Sequence, residues 1–414
     1  MSTRTASSIA STATLAGSMC WNSTSENQLL LPLSPRERGK SPSRHGDCDS
    51  EPDTEGGTMT DGASAMIPIT LVTGFLGSGK TTLLNNLLRD PAMTDTAVII
   101  NEFGDVAIDH LLVESAVENA VVLQSGCICC SVRGDLVDTL SDLKGKEARG
   151  EVPPFSRILI ETTGLADPTS IVQLFATEPT LAGLFRLRAV VTTVDAVNGG
   201  AQLDGFEEAG RQVALADVLL VTKADIGEAA TTAALCERLH RLNPGAEIVE
   251  VLHGHLSPAD LFERAPEAPS GDGSNVQRWL KAEAFEHGHD HHHHHHDHDH
   301  DHDHHHGHSH HDAAIKAFAV TLDTPIARDA LRRWLNSVLS LRGNDLLRMK
   351  GIVNVRGEDG PMVVHAVQQV VHPPVHLAAW PSADHSTRIV FITRNISQAA
   401  LQRSLELLAA PDAA

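Results

Sequence analysis

The sequence predicts an α/β protein: a doubly wound parallel sheet followed by a smaller C-terminal α+β domain. Three observations predict it. From residue 66 to about 255, short runs rich in Val and Ile alternate with segments of helical length. A glycine-rich turn, GFLGSGKT at 74–81, separates the first such run from the first helical segment. Beyond a histidine-dense tract at 287–311 the order changes to one strand, a helix, further strands and a closing helix. Runs apolar on both faces suit strands covered by helices on each side, and regular alternation with helices implies parallel crossovers.

In chain order, residues 1–65 are rich in Ser, Thr, Gly, Pro and Ala without periodicity, and are expected to be a disordered extension. The first 21 residues carry one Arg and no acid, a composition compatible with a transit peptide; the apolar segment is too short and broken for a secretory signal. Met66 as the native start is the alternative. The predicted strands are ITLVTG (69–74), TAVIIN (96–101), RILIET (157–162), RAVVTTVD (188–195), DVLLVTK (217–223) and AEIVEV (246–251), with KTTLLNNLLRD (80–90) a helix. The first domain is placed at 66–265 and a linker holding the histidine tract at 266–312. In the last domain, 313–411, KAFAVTLD (316–323) reads as a strand and PIARDALRRWLNSVLSL (325–341) as an amphipathic helix. LLRMKGIVNVRG, PMVVHAVQQVVH and TRIVFITRN read as antiparallel strands, and SQAALQRSLELL (397–408) as a closing helix.

Composition narrows the function. A formal charge of −21 disfavours general binding to nucleic acid or anionic membranes. No apolar run approaches about 18 residues, so no membrane-spanning helix is expected. Six cysteines, three of them within 127–130, do not make a disulfide framework and suit a reducing, cytoplasmic setting.

GFLGSGKT fits G-x-x-x-x-G-K-[ST], with a strand before it and a helix after it. Such glycines let backbone N–H groups converge on phosphate oxygens, the lysine meets the β and γ phosphates, and the hydroxyl ligates Mg²⁺. Gly74, Gly77, Ser78, Gly79, Lys80, Thr81 and Thr82 are therefore the phosphate-binding candidates. TKAD (222–225) ends a later strand. A carboxylate only accepts hydrogen bonds and guanine offers N1–H and N2–H₂, so Asp225 selects guanine over adenine while the Lys223 stem lies along the base. The usual pattern has Asn where this chain has Thr222, which predicts one weakened base contact. ILIETTGLADP (158–168) ends a strand in Glu161, placed to act on Mg²⁺ directly or through water, and Gly164 follows as a backbone sensor of the γ-phosphate.

Cys127, Cys129 and Cys130 supply three thiolates suited to Zn²⁺, Co²⁺ or Cu⁺. A closed structural zinc site takes four protein ligands, so three point to an exchangeable metal. A redox pair, C-x-x-C from Cys127 and Cys130, is the rival, and buried structural thiols the third option.

Together GFLGSGKTT, NEFGDVAID (101–109), GCICC, ETTGLADP, TKAD, LLRMKGIVNV and RIVFITRN resemble the CobW family of P-loop GTPases, over about 66–411. The resemblance implies a P-loop NTPase sheet, and GTP hydrolysis coupled to binding and transfer of a metal, zinc or cobalt, to a client metalloprotein. It also implies that NEFGDVAID is the first switch, with Glu102 an oxygen ligand to the transferable metal and Asp105 a contact to Mg²⁺ or its water. Catalysis is then expected to rest on Lys80, Thr81, Glu161 and Asp105.

The thiolates lie in sequence between the two segments expected to touch γ-phosphate and Mg²⁺, so the nucleotide is expected to set their geometry. No Gln or His is evidently placed to orient water, so intrinsic hydrolysis is expected to be slow; Arg133 is a candidate for stabilising the transferring charge. The tract at 287–311, with 17 His in 25 positions, reads as a weak multi-site metal reservoir. Two other readings stay open: a GTP-dependent cobalt assembly factor for cobalamin-type synthesis, and a non-catalytic metal buffer whose GTPase part is regulatory or vestigial. Homo-oligomerisation also stays open.

Overall fold

The computed structural model describes residues 66–101, 121–124, 132–266, 269, 275–286 and 314–409. The extension 1–65, the NEFGDVAID residues 102–109, the three clustered cysteines and the histidine tract lie outside them.

The first sheet is built from β1 (Ile67–Gly74), β2 (Thr96–Asn101), β3 (Val121–Gln124), β4 (Arg157–Thr162), β5 (Phe185–Asp195), β6 (Val218–Thr222) and β7 (Glu247–Val251). All pairings are parallel and the order is β3-β2-β4-β1-β5-β6-β7. The crossovers contain α1 (Lys80–Leu87), α2 (Val132–Ala148), α3 (Thr169–Thr177), α4 (Gly199–Gly205), α5 (Glu207–Leu215), α6 (Ala229–Leu242) and, after β7, α7 (Pro258–Glu263). Successive side chains in a strand point to opposite faces. Ile158 and Ile160 accordingly join a core with Leu136, Leu140, Ile171 and Leu174, whereas Leu159 joins one with Leu83, Leu84, Leu87 and Phe262. That two-sided burial explains why these strands lack polar alternation. The doubly wound sheet is the fold class expected from the sequence. β3 was not among the strands read from it.

Two short helices follow, α8 (Val276–Leu280) and α9 (Ala282–Glu286). They fall in the stretch assigned above to a linker. Val276, Trp279, Leu280 and Phe285 are buried there, in one cluster with Ala214 of α5 and with residues of the second sheet.

The second sheet is antiparallel. β8 (Ile315–Leu322), α10 (Arg328–Arg342), β9 (Leu346–Val353), β10 (Met362–Val367), β11 (Val370–Val371), β12 (Val375–His376), β13 (Thr387–Arg394) and α11 (Gln398–Ala409) follow in order. The strand order is β11-β10-β9-β13-β8, with β12 on β10. The segment PMVVHAVQQVVH divides at Gln368, whose φ of 49° turns β10 into β11. No helix among the described residues is long and apolar enough to cross a membrane.

A buried polar contact joins the two sheets. Arg348 Nη1 donates to Leu215 O at 2.6 Å and Ala216 O at 2.8 Å, and Arg348 Nη2 donates to Asp217 Oδ1. Lys350 Nζ lies 3.3 Å from the same oxygen and 5.0 Å from the Trp279 ring centroid. Burial pushes Asp217 up, but Arg348 and Lys350 outweigh it and hold the carboxyl below its ordinary value. Burial, then the Arg348 charge, bring Lys350 down to about 7.

Candidate functional site

Parallel strands deliver all their C-terminal ends to one edge, where ligands of open α/β sheets bind. The register brings Gly74 beside Thr193, Val72 beside Glu161, and Asp195 beside Thr222. Every described candidate from the sequence lies at this edge.

The loop after β1 is held from beneath. Gly74 has φ 142°, and a Cβ there would lie 2.2 Å from Thr193 Oγ1. Only glycine lets β5 come so close. Gly77 (φ 73°) and Gly79 (φ 90°) take left-handed geometry, and nothing lies within 4 Å of a Cβ built on Gly77. The loop therefore presents backbone rather than side chain to the space above it, which is what a phosphate chain requires. Ser78 Oγ lies 2.6 Å from Thr193 Oγ1, whose hydroxyl donates to Thr73 O at 3.2 Å. Lys80 opens α1 with its ammonium inside the loop, donating to Gly74 O at 2.9 Å and Phe75 O at 3.2 Å. Thr81 and Thr82 follow in the first turn, half-buried and exposed respectively.

Thr222 has a role the sequence reading did not assign. Its hydroxyl donates to Ser78 O at 2.6 Å, with Val194 O at 3.2 Å as a second acceptor. The side chain braces the phosphate loop. Lys223, with φ 59°, donates from Nζ to Gly77 O at 2.8 Å and to Asp195 Oδ2 at 2.7 Å. Its stem thus spans from the β6 end to the loop. Asp195 is a residue that sequence reasoning missed. Its Oδ1 also accepts from Val197 N and Asn198 N, and burial, which raises its pKa, is outweighed by hydrogen bonds from Lys223 and Asn198. Asp225 follows the turn, its carboxyl lowered first by the His253 backbone N–H.

Glu161 is buried at the end of β4, between Val72 of β1 and Ile100 of β2. A Cβ on Gly164 would lie 2.6 Å from Leu76 N, so the loop after β4 rests on the phosphate loop backbone to backbone. Gln212 of α5, also missed, holds it there: Nε2 donates to Gly164 O at 3.2 Å and Ala166 O at 3.1 Å. Arg211 adds a contact to Asp167 at 3.3 Å. Neither Asp195 nor Gln212 has a spacing signature; a strand-end acid beside the TKAD strand was the one available signal. Arg133 lies in the first turn of α2. Glu102, Asp105, Cys127, Cys129 and Cys130 lie outside the described residues. Among those described, no group of three or more His, Cys, Asp or Glu is placed to hold a metal.

The donor set fits a nucleotide with Mg²⁺. The loop offers backbone N–H groups and an ammonium, and Thr81 and Glu161 offer the hard oxygen ligands that Mg²⁺ takes.

Residues 68–250 match the family described as CobW/HypB/UreG, nucleotide-binding domain, and residues 315–409 match the cobalamin synthesis protein CobW C-terminal domain. The chain is 33% identical over 327 residues to the zinc chaperone YjiA of Escherichia coli, covering 79% of this chain and 93% of the relative. It is 26% identical over 372 residues to a zinc chaperone CobW from Sinorhizobium sp, covering 83% and 97%. Zinc-regulated GTPase metalloprotein activator 1 of Schizosaccharomyces pombe is 32% identical over 197 residues, covering 46% and 47%. The crystal structure of Zn(II)-bound YjiA GTPase superimposes with a TM-score of 0.62 at 28% identity, over 83% of this chain and 99% of that one. With its nucleotide-binding sheet, its C-terminal module and a relative matched along nearly its whole length, the chain belongs to the CobW/HypB/UreG family of P-loop GTPases.

Proposed function

We propose that this chain is a cytoplasmic, GTP-hydrolysing metallochaperone that binds zinc at Cys127, Cys129 and Cys130, with Glu102 as a further ligand, and delivers it to a client metalloprotein. The observation that carries this reading is the C-I-C-C run at 127–130, lying between a phosphate loop and an ETTG loop in a chain matched along 93% of a relative named as a zinc chaperone. Glu161 reaches the nucleotide edge at the end of β4, and Gly164 on the following loop, which rests against the phosphate loop. The segment with the thiolates joins β3 to α2, and β3 ends at that same edge.

In this reading Lys80 neutralises the β and γ phosphates, Thr81, Glu161 and Asp105 hold Mg²⁺, and Asp225 reads guanine. Mg²⁺ supplies charge neutralisation on the phosphate oxygens. Zinc is the cargo. Thiolate sites reach roughly 10–16 kcal/mol for zinc, too tight for timely release. Removing about 4 kcal/mol on hydrolysis weakens binding about a thousandfold. Linkage then requires zinc to favour the GTP form by the same factor.

The test is a zinc titration of a variant lacking residues 287–311, once with GDP and once with a non-hydrolysable GTP analogue. Affinity is expected to be much higher with the analogue and to be lost in both states when Cys127, Cys129 and Cys130 are changed to Ser. Equal affinity in the two nucleotide states sinks the coupling; unchanged affinity in the serine variant sinks the site.

A further inference from the structure

The turn after β7 leads directly onto the residue assigned to the base. Val251 ends β7 in register with Thr222 at the end of β6, so the chain leaving β7 passes over the loop leaving β6. His253 sits in this turn at φ 54°, a left-handed conformation that histidine, with asparagine and aspartate, adopts more readily than other non-glycine residues. Its backbone N–H donates to Asp225 Oδ1 at 3.1 Å. Its ring Nδ1 lies 2.9 Å from Asp225 Oδ2. An ionised carboxylate only accepts, so Nδ1 carries the proton.

One residue thus engages both oxygens of Asp225, one through backbone and one through ring. The two contacts orient the carboxylate about its Cβ–Cγ bond. Each oxygen keeps a further lone pair, enough for one guanine N–H apiece. The turn is itself anchored to the helix that follows the phosphate loop. Asn86 Nδ2 of α1 donates to Gly254 O at 3.0 Å and His253 O at 3.3 Å. Gly254 has φ 71°, and a Cβ there would lie 2.9 Å from Thr82 Cγ2. The phosphate end and the base end of the cleft are therefore tied through the turn at 252–255.

We propose that His253 is a specificity-determining positioning residue: its ring and backbone fix the plane of the Asp225 carboxylate so that both oxygens face the N1–H and N2–H₂ of a guanine nucleotide. This rests on the reading of Asp225 as the base reader. A base lacking the 2-amino group needs only one oxygen, which a rotating carboxylate still supplies. Loss of the ring therefore harms guanine more than hypoxanthine.

The test uses the full chain and calorimetric titration with GDP and with IDP, whose base lacks the 2-amino group. Four proteins are compared: the natural chain, His253→Gly, His253→Asn and Asp225→Asn. Glycine removes the ring without straining a left-handed position, and the ring is 72% exposed, so no cavity forms. His253→Gly is expected to weaken GDP about tenfold, the scale of one hydrogen bond to a charged group, and IDP distinctly less, so the GDP-to-IDP preference falls. His253→Asn, which tolerates this φ and retains a donor, is expected to restore part of the preference. A His253→Gly protein that binds GDP as tightly as the natural chain, or more tightly, while Asp225→Asn loses the preference, overturns the role of His253 alone. An unchanged preference in Asp225→Asn overturns the reading of the base site itself.

Discussion

Thr222 shows how a single hydroxyl serves the nucleotide edge by bracing the phosphate loop. It bonds Ser78 O across 144 positions of sequence, in a place only 3% exposed. Thr222→Val keeps the shape and removes the donor, leaving Ser78 O without this bond. The expected loss is about 1–3 kcal/mol of unfolding free energy, read by chemical denaturation, together with weaker GDP binding. A valine variant that keeps both its stability and its GDP affinity contradicts the brace. At this scale the phosphate loop was legible, because its fixed spacing follows from the φ values at Gly77 and Gly79 and from the lysine that must follow them. The roles of Thr222, Asp195 and His253 were not, because each depends on a partner brought close only by strand register.

At the scale of elements, α5 serves both the nucleotide edge and the second sheet. Gln212 is 1% exposed and holds the loop after Glu161 by two carbonyls. Just beyond it, at the C-terminal end of the helix, Leu215 O and Ala216 O receive Arg348, a cation where the helix leaves its carbonyls unpaired. Gln212→Leu keeps the bulk and removes both donors. It is expected to slow GTP hydrolysis several-fold while GDP affinity changes little, since the Gln212 amide donates to the loop after β4. Single-turnover hydrolysis alongside a GDP titration checks this; an unaltered rate shows that the loop needs no such anchor. Element type was readable wherever length and periodicity were ample, as in β1, β4, β6 and α10. It failed at β3, four residues long, and at α8 and α9, five residues each. Helices that short are held by tertiary burial, here of Trp279 and Phe285, and carry no periodic signal.

Across the whole molecule, the contact between Arg348 and Asp217 bridges 131 positions and ties the second sheet to the first. Arg348→Ala leaves Asp217 buried with Lys350, 3.3 Å away, as its remaining ion-pair partner. With the guanidinium gone, one cause of the lowered Lys350 value disappears and its amine is more fully protonated, which offsets part of the loss. The expected destabilisation is about 3 kcal/mol, the lower end for a broken buried pair. Equilibrium denaturation checks it, and a variant as stable as the natural chain would show that the bridge contributes nothing. No reading of composition or motif could have paired these residues, since an Arg in an apolar strand and an Asp before one are each ordinary.

The position of Arg348 limits how this architecture can be recombined. A foreign C-terminal portion transplanted onto the nucleotide-binding part would have to arrive with a guanidinium at the same spot. Without it, the carbonyls at 215 and 216 and the acid at 217 would be stranded away from water. Neighbouring Gln212 would then hang from a helix whose tail is no longer fastened. Chimeras within the family should tolerate exchange of the surface of the second sheet far better than exchange of this one strand.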